Sequence, residues 1–416
     1  MKTTLPLLVL ACVVSVSSVT AAQIAVPKTV AITGATLRTD KGAQEGITVV
    51  IKDGKIAALG KGVKVPSGAT IIDGTGKTLT PGLIAAGTGL GLVEINAVGY
   101  TNEGRFGDAK PVHASFRVTD GYNPNSIVID VARNGGITST ISTPRGGLIA
   151  GQSAWMTMGA GSVEDNTVDD SAALHVTLGR SAGGVGDGSR GRALQTLRAL
   201  FDDAQHFGKN RSAYDRGQTR PYGAGHLDLE VLLAVLKGDL PMVVNVDRKS
   251  DIAAVLKFAK QYRIRVILTG ATEAWMLADE IAAAKVPVML NPKSNLPSSF
   301  DQVHVVDDSA TRLANAGVQV IISPLGDASS ARTLRQLAGL AVAHGLTWEQ
   351  AFASITTIPA KVFGAKRGTL KAGEAADLVL WNGDPLELSS HAEAIFIGGI
   401  QQSMENHQTL LRKRYR

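Results

Sequence analysis

Short, strand-like runs rich in apolar and β-branched residues alternate with stretches whose apolar residues recur every three or four positions through the middle of the chain. Eight runs stand out: Leu79–Ala86, Ile137–Ser142, Ser153–Met158, Ala172–Leu178, Met242–Val246, Val266–Thr269, Val286–Leu290 and Val318–Ile322. Apolar segments this short, bounded by turn residues, predict buried strands. Between them, Asp251–Tyr262, Thr272–Ala284, Thr311–Ala316 and Ala331–His344 have the spacing of amphipathic helices. Strand and helix in alternation predict an α/β fold with a parallel sheet, and eight such units predict a TIM (β/α)8 barrel.

A different texture brackets this core. Thr29–Ile32, Ile47–Lys52, Lys55–Leu59 and Ala69–Ile72 read as short strands, with Asp53-Gly54 as a tight hairpin turn between the second and third. The texture returns after Gly368, in Ala376–Trp381, Ala394–Ile397 and Ile400-Gln401. Both ends of the chain are therefore expected to build one small β-sandwich lobe. The expected plan is a leader at 1–22, lobe segments at 23–78 and 366–416, and a barrel at 79–365. Residues 183–225 exceed an ordinary connection, carry a helical pattern at Arg192–Phe207, and are expected as an insertion over the barrel mouth.

Composition adds three constraints. At 416 residues, 44% hydrophobic and 19% charged, the chain can bury a large core. Its start, Met1-Lys2-Thr3-Thr4 followed by apolar Leu5–Val14 and small-residue Ser15–Ala22, predicts a secretory signal peptide and an exported, periplasmic protein. No later run is long enough for a transmembrane segment. The single cysteine, Cys12, lies inside this leader, where continued apolar residues argue against a lipoprotein anchor. Without it the chain has no disulfide, no thiol nucleophile and no thiolate metal ligand. The net charge of +6, from 42 basic and 36 acidic residues, is scattered, which argues against nucleic acid as a partner and leaves a small-molecule substrate or ligand; a homo-oligomer stays open.

Particular motifs carry a resemblance. Thr80-Pro81-Gly82-Leu83-Ile84, the glycine-rich Pro144–Gln152, Asn291-Pro292 with Leu296-Pro297, Ala331-Arg332 with Leu334, and Gly368-Thr369-Leu370 through Ala376-Asp377-Leu378-Val379 span most of the chain. Together they resemble the amidohydrolase superfamily, in its imidazolonepropionase-like branch. The resemblance implies a divalent metal held by two histidines after strand 1, a lysine or glutamate after strand 4, histidines after strands 5 and 6, and an aspartate after strand 8. Here the first two positions are Gly87 and Gly89, strand 5 offers Asn245, strand 6 ends Leu268-Thr269-Gly270, and Asp327 matches the last. No resident cofactor is expected, and zinc would need improvised ligands. Of the eight histidines only His175 falls on a barrel strand, where the expectation is a satisfied core residue.

Barrel enzymes place their chemistry at the C-terminal ends of the strands. The polar residues expected there are Thr88, Glu94, Arg145, Asn245, Asp247, Arg248, Glu273, Asn291 and Asp327. Asp327 or Glu273 could serve as general base, and Asn245, Asp247, Arg248, Arg145, Glu94 and Asn291 could hold an amino-acid-like or dipeptide-like ligand. Asp247 with Arg248, and Asp327 with Arg332, could equally be structural ion pairs. Two functions follow: hydrolysis of a non-peptide or dipeptide-type C–N bond, or ligand binding by a metal-free, inactive homologue.

Overall fold

A computed structural model describes residues 29–105, 110–179, 189–326 and 328–416. The expected leader with Cys12, the first part of the insertion, and Asp327 lie outside the described residues. The chain opens with five strands, β1 (Thr29–Thr39), β2 (Gly42–Lys52), β3 (Lys55–Gly60), β4 (Thr70–Asp73) and β5 (Thr78–Pro81). Eight more follow: β6 (Leu83–Thr88), β7 (Ile137–Ser142), β8 (Ile149–Thr157), β9 (Thr167–Thr177), β10 (Met242–Val246), β11 (Val266–Gly270), β12 (Val288–Leu290) and β13 (Val320–Ile322). Three strands, β14 (Leu378–Trp381), β15 (Ala392–Ile397) and β16 (Ile400–Gln401), return to the lobe.

The lobe strands hydrogen-bond as one sheet, β16-β15-β14-β5-β1-β2-β3, with β4 attached to β1. Ile32, Val49, Ile56, Leu79, Leu378 and Phe396 meet in its core. The apolar run read as one barrel strand, Leu79–Ala86, is in fact two. Its first half, β5, pairs antiparallel with β14 in the lobe, while its second half, β6, pairs parallel with β7 in the barrel. Gly82 is the pivot, its N–H bonded to Asp377 O at 3.0 Å. A Cβ there would lie 2.1 Å from Thr138 Oγ1, so only glycine allows this crossing.

The second sheet runs β6-β7-β8-β9-β10-β11-β12-β13 and curls into a nearly closed α/β barrel. Residues Ser354 and Ile355 fill the seam, accepting from Ile322 N and Ile84 N, while Ser323 Oγ donates to Ala86 O at 2.5 Å. Ile84, Ile141, Trp155, Val243, Ile267 and Ile321 pack the barrel interior. The eight strands are those expected, but β8 runs antiparallel to both neighbours. Chain length explains this: only residues 143–148 join β7 to β8, whereas a parallel return needs roughly a dozen or more residues. Residues 158–166, with the single helical turn Val163–Asn166, then lead back into β9. The start of β8 therefore stands at the barrel mouth beside the ends of β7 and β9.

The described part of the insertion packs as an outer layer. Its helix Arg190–Lys209 buries Leu197, Phe201 and Phe207 in the main core against the helix His226–Lys237. No helix of the described residues is long and apolar enough to cross a membrane.

Candidate active site in the barrel mouth

The ends of the barrel strands enclose a cavity of about 430 Å³. Register fixes its floor. Asn245 on β10 stands opposite Thr177 on β9 and Thr269 on β11, and Thr269 stands opposite Met289 on β12. All four line the cavity, with His175 one layer deeper. The wall is built from loops: Asn96, Asn102 and Arg105 follow β6, and Thr143 and Arg145 follow β7. Arg105 and Arg145 are partners in a parallel backbone bridge, which sets the two guanidinium-bearing residues side by side. Arg145 Nη2 also donates to Gly326 O at 2.9 Å, which orients its head. No Asp or Glu among the described residues lines the cavity.

Of the expected site residues, Arg145 and Asn245 reach this cavity. Asp247, Arg248 and Glu273 sit just outside its lining, in a polar cluster that fastens neighbouring loops. The Glu273 carboxylate accepts from Lys249 N at 2.8 Å, at the start of helix Lys249–Tyr262, and from His304 N at 3.2 Å. A carboxylate at that helix start also complements the helix dipole. Glu273 is 3% exposed and commits both oxygens to backbone, so it has no reach to a ligand in the cavity. Asp247 accepts from Thr272 N and Oγ1, and burial raises its pKa against these bonds. Arg248 pairs with Asp251, not with the adjacent Asp247, and that hydrogen bond raises its pKa. Asn291 ties two strand exits together through Pro324 O and Lys293 N. Glu94 accepts from Asn123, and Thr88 shares a buried hydroxyl contact with Thr140.

The donor set among the described residues does not fit the metal that the resemblance implies. Gly87 and Gly89 end the first barrel strand. A Cβ on Gly87, whose φ is +70°, would sit 3.1 Å from the Met289 thioether, so a ligating side chain there would strain the backbone and crowd Met289. Asn245 and Thr269 stand where further imidazoles would project, and no group of three or more His, Cys, Asp or Glu among the described residues could hold an ion. His175 is the one histidine in the cavity wall.

His175 is 6% exposed, and its Nε2 is buried without a hydrogen-bond partner. Burial first, and then the charge of Arg145, lowers its pKa to about 3. The imidazole is therefore neutral near pH 7, available as an uncharged donor or acceptor. A stability consequence follows from the sign of this shift. Below the ordinary value of 6.5 the unfolded chain takes up a proton that the folded chain refuses, so stability falls with pH from about 6.5 down to about 3. At pH 5 this amounts to about 2 kcal/mol. Urea denaturation at pH 7 and pH 5 should show that much more loss for the wild type than for His175→Leu; equal losses would refute the assignment.

Sequence reading missed Asn96, Asn102, Arg105, Thr143, Thr177, Thr269 and Met289. Thr177 and Thr269 were reachable, because they share Asn245's inward register on adjacent strands. The loop residues had no such signal.

Comparison with known proteins agrees with this architecture. A model of the amidohydrolase family matches residues 314–395. The amidohydrolase tasK of Hapsidospora irregularis is 24% identical over 374 residues, covering 82% of this chain; the chain spans only 38% of that relative's length. A solved amidohydrolase from Thermotoga maritima superposes with a TM-score of 0.82 at 24% identity, covering 90% of this chain and 99% of its own. A β-aspartyl dipeptidase from Fervidobacterium islandicum, solved with a β-Asp-Leu dipeptide, gives 0.55 at 14% identity, covering 90% and 96%. The family match over residues 314–395, the sequence relative and the shared barrel make this chain similar to proteins of the amidohydrolase superfamily.

Proposed function

We propose that the barrel mouth binds a small molecule carrying a carboxylate beside an amide, of dipeptide or N-acylated amino-acid type. The observation that carries this reading is the bridged pair Arg105 and Arg145 above a floor of Asn245, Thr177 and Thr269. Guanidinium groups grip a carboxylate bidentately, and amide and hydroxyl side chains match an amide's donor and acceptor. The bound β-Asp-Leu dipeptide of the Fervidobacterium enzyme belongs to this chemical class. The lack of a fitting metal donor set among the described residues supports recognition as the site's task. The leader-like residues 1–22 support an exported protein that meets its ligand outside the cytoplasm.

A second reading keeps hydrolysis of the ligand's C–N bond, because Gly326, immediately before Asp327, lines the cavity. Asp327 would then deprotonate the attacking water. Incubation of the purified chain with a library of dipeptides and N-acetyl amino acids, followed by mass spectrometry, separates the two. Under the binding reading ligands are retained and no cleavage product accumulates. Products made by the wild type and lost in Asp327→Asn would establish the second reading and overturn the first.

A further inference from the structure

A second, larger concavity opens at the opposite end of the barrel. It is lined by residues at the starts of β10 to β13, among them Pro241, Ile264, Pro287 and Gln319, and encloses about 1010 Å³. β12 and β13 have three residues each, and the helix Ala278–Ala283 has six, so the outer layer is thin here. Leu256, Ile264, Val266, Val286 and Val362 make the walls aliphatic.

The charges in this groove are one-sided. Lys257, Lys260, Arg265, Lys285 and Lys361 line it, against Glu280 alone. Arg265 gives Nε and Nη2 to the carbonyls of Gly238 and Asp239. The four lysines have no ion pair with any described residue. Five like charges gathered against one carboxylate repel one another, and a bound anion would relieve that repulsion. Among the described residues the lining also holds no aromatic ring, no hydroxyl and no glycine, and Gln319 is its sole uncharged polar side chain. A nucleotide would want stacking and a backbone cradle for phosphate, and a sugar would want several hydrogen-bond partners. Neither is served by this surface.

From the aliphatic walls and the cationic rim together, we propose that this groove binds a monomeric aliphatic carboxylate, with its chain along Leu256, Val266 and Val362 and its head among the lysines. The site is separate from the barrel mouth and independent of the function proposed for it. Calorimetric titration of the full chain with octanoate, decanoate and dodecanoate, each below its micellar concentration, tests the assignment. One ligand should bind per chain, with affinity rising by up to about fourfold per added buried methylene. Decanol and decylammonium should bind at least about tenfold more weakly than decanoate, a difference of about one charged contact. The exposed double variant Lys257→Glu, Lys361→Glu should lose a similar factor, and Ala283→Trp should block the groove, both with the wild-type melting temperature. Decanoate affinity should be unaltered in Arg145→Met. No binding, equal binding of decanol, binding unmoved by the charge reversal, loss in Arg145→Met, or association only with anionic phospholipid vesicles would each overturn the proposal.

Discussion

Arg145→Met should weaken binding of a dipeptide-type carboxylate in the mouth by about 1.5–3 kcal/mol, roughly ten- to 150-fold, while the protein stays folded. The guanidinium lines the cavity, and its orientation is fixed by the bond to Gly326 O and by the backbone bond from Arg145 N to Gly104 O. A preoriented fork loses little freedom when a carboxylate docks, so the contact is strong and its removal is costly. Arg145→Lys keeps the charge and loses the fork, and should fall between wild type and Arg145→Met. Titration with the best ligand from the dipeptide library reads the effect, and a melting curve confirms the fold. Wild-type affinity in a folded Arg145→Met chain would remove the arginine from recognition.

The second large effect concerns the joint between lobe and barrel. Asp377→Ala should destabilise the fold by about 3–5 kcal/mol, because it leaves the Arg367 cation without its partner in a largely buried place. Asp377 is 5% exposed; Oδ2 pairs with Arg367 and Oδ1 accepts from Gly398 N at 2.7 Å. Its carbonyl also holds the pivot residue Gly82. One aspartate thus fixes the point where the chain crosses from β5 into β6, and with it the position of the first barrel strand. Urea denaturation measures the effect. Asp377→Asn keeps the acceptor for Gly398 and should cost less than alanine. A loss below about 1 kcal/mol for Asp377→Ala would show that the joint is held elsewhere.

Much of the architecture was legible in the sequence, and the misses have physical reasons. The buried strands were recoverable because runs such as Met242–Val246 and Val266–Thr269 are packed on both faces and are apolar except at the residue that reaches the mouth, Asn245 or Thr269. The direction of β8 was also written in the chain, in the short connection 143–148, but periodicity alone carries no strand direction. Leu79–Ala86 read as one strand because apolar pattern does not mark a change of sheet; the mark was the Pro81-Gly82 step. For the site, Arg145 and Asn245 were found because they lie at or just after the mouth ends of their strands. Asp247, Arg248 and Glu273 share that address, yet their side chains turn to Thr272, Asp251 and backbone amides instead. Side-chain direction past the end of a strand depends on loop geometry, which local sequence does not encode. Asn96, Asn102 and Arg105 reach the cavity from a long loop, and only the folded chain brings them there.

The central claim is that this barrel mouth recognises its ligand through arginine, amide and hydroxyl groups, with glycine, asparagine and threonine where a metal would be held. Elemental mass spectrometry on the chain purified without chelator tests it most directly. Well under one divalent ion per chain, in protein that still binds its carboxylate ligand, is the result the account predicts. About one or more tightly held ions per chain would contradict it, and would mean that His175 and residues outside those described here assemble a metal site.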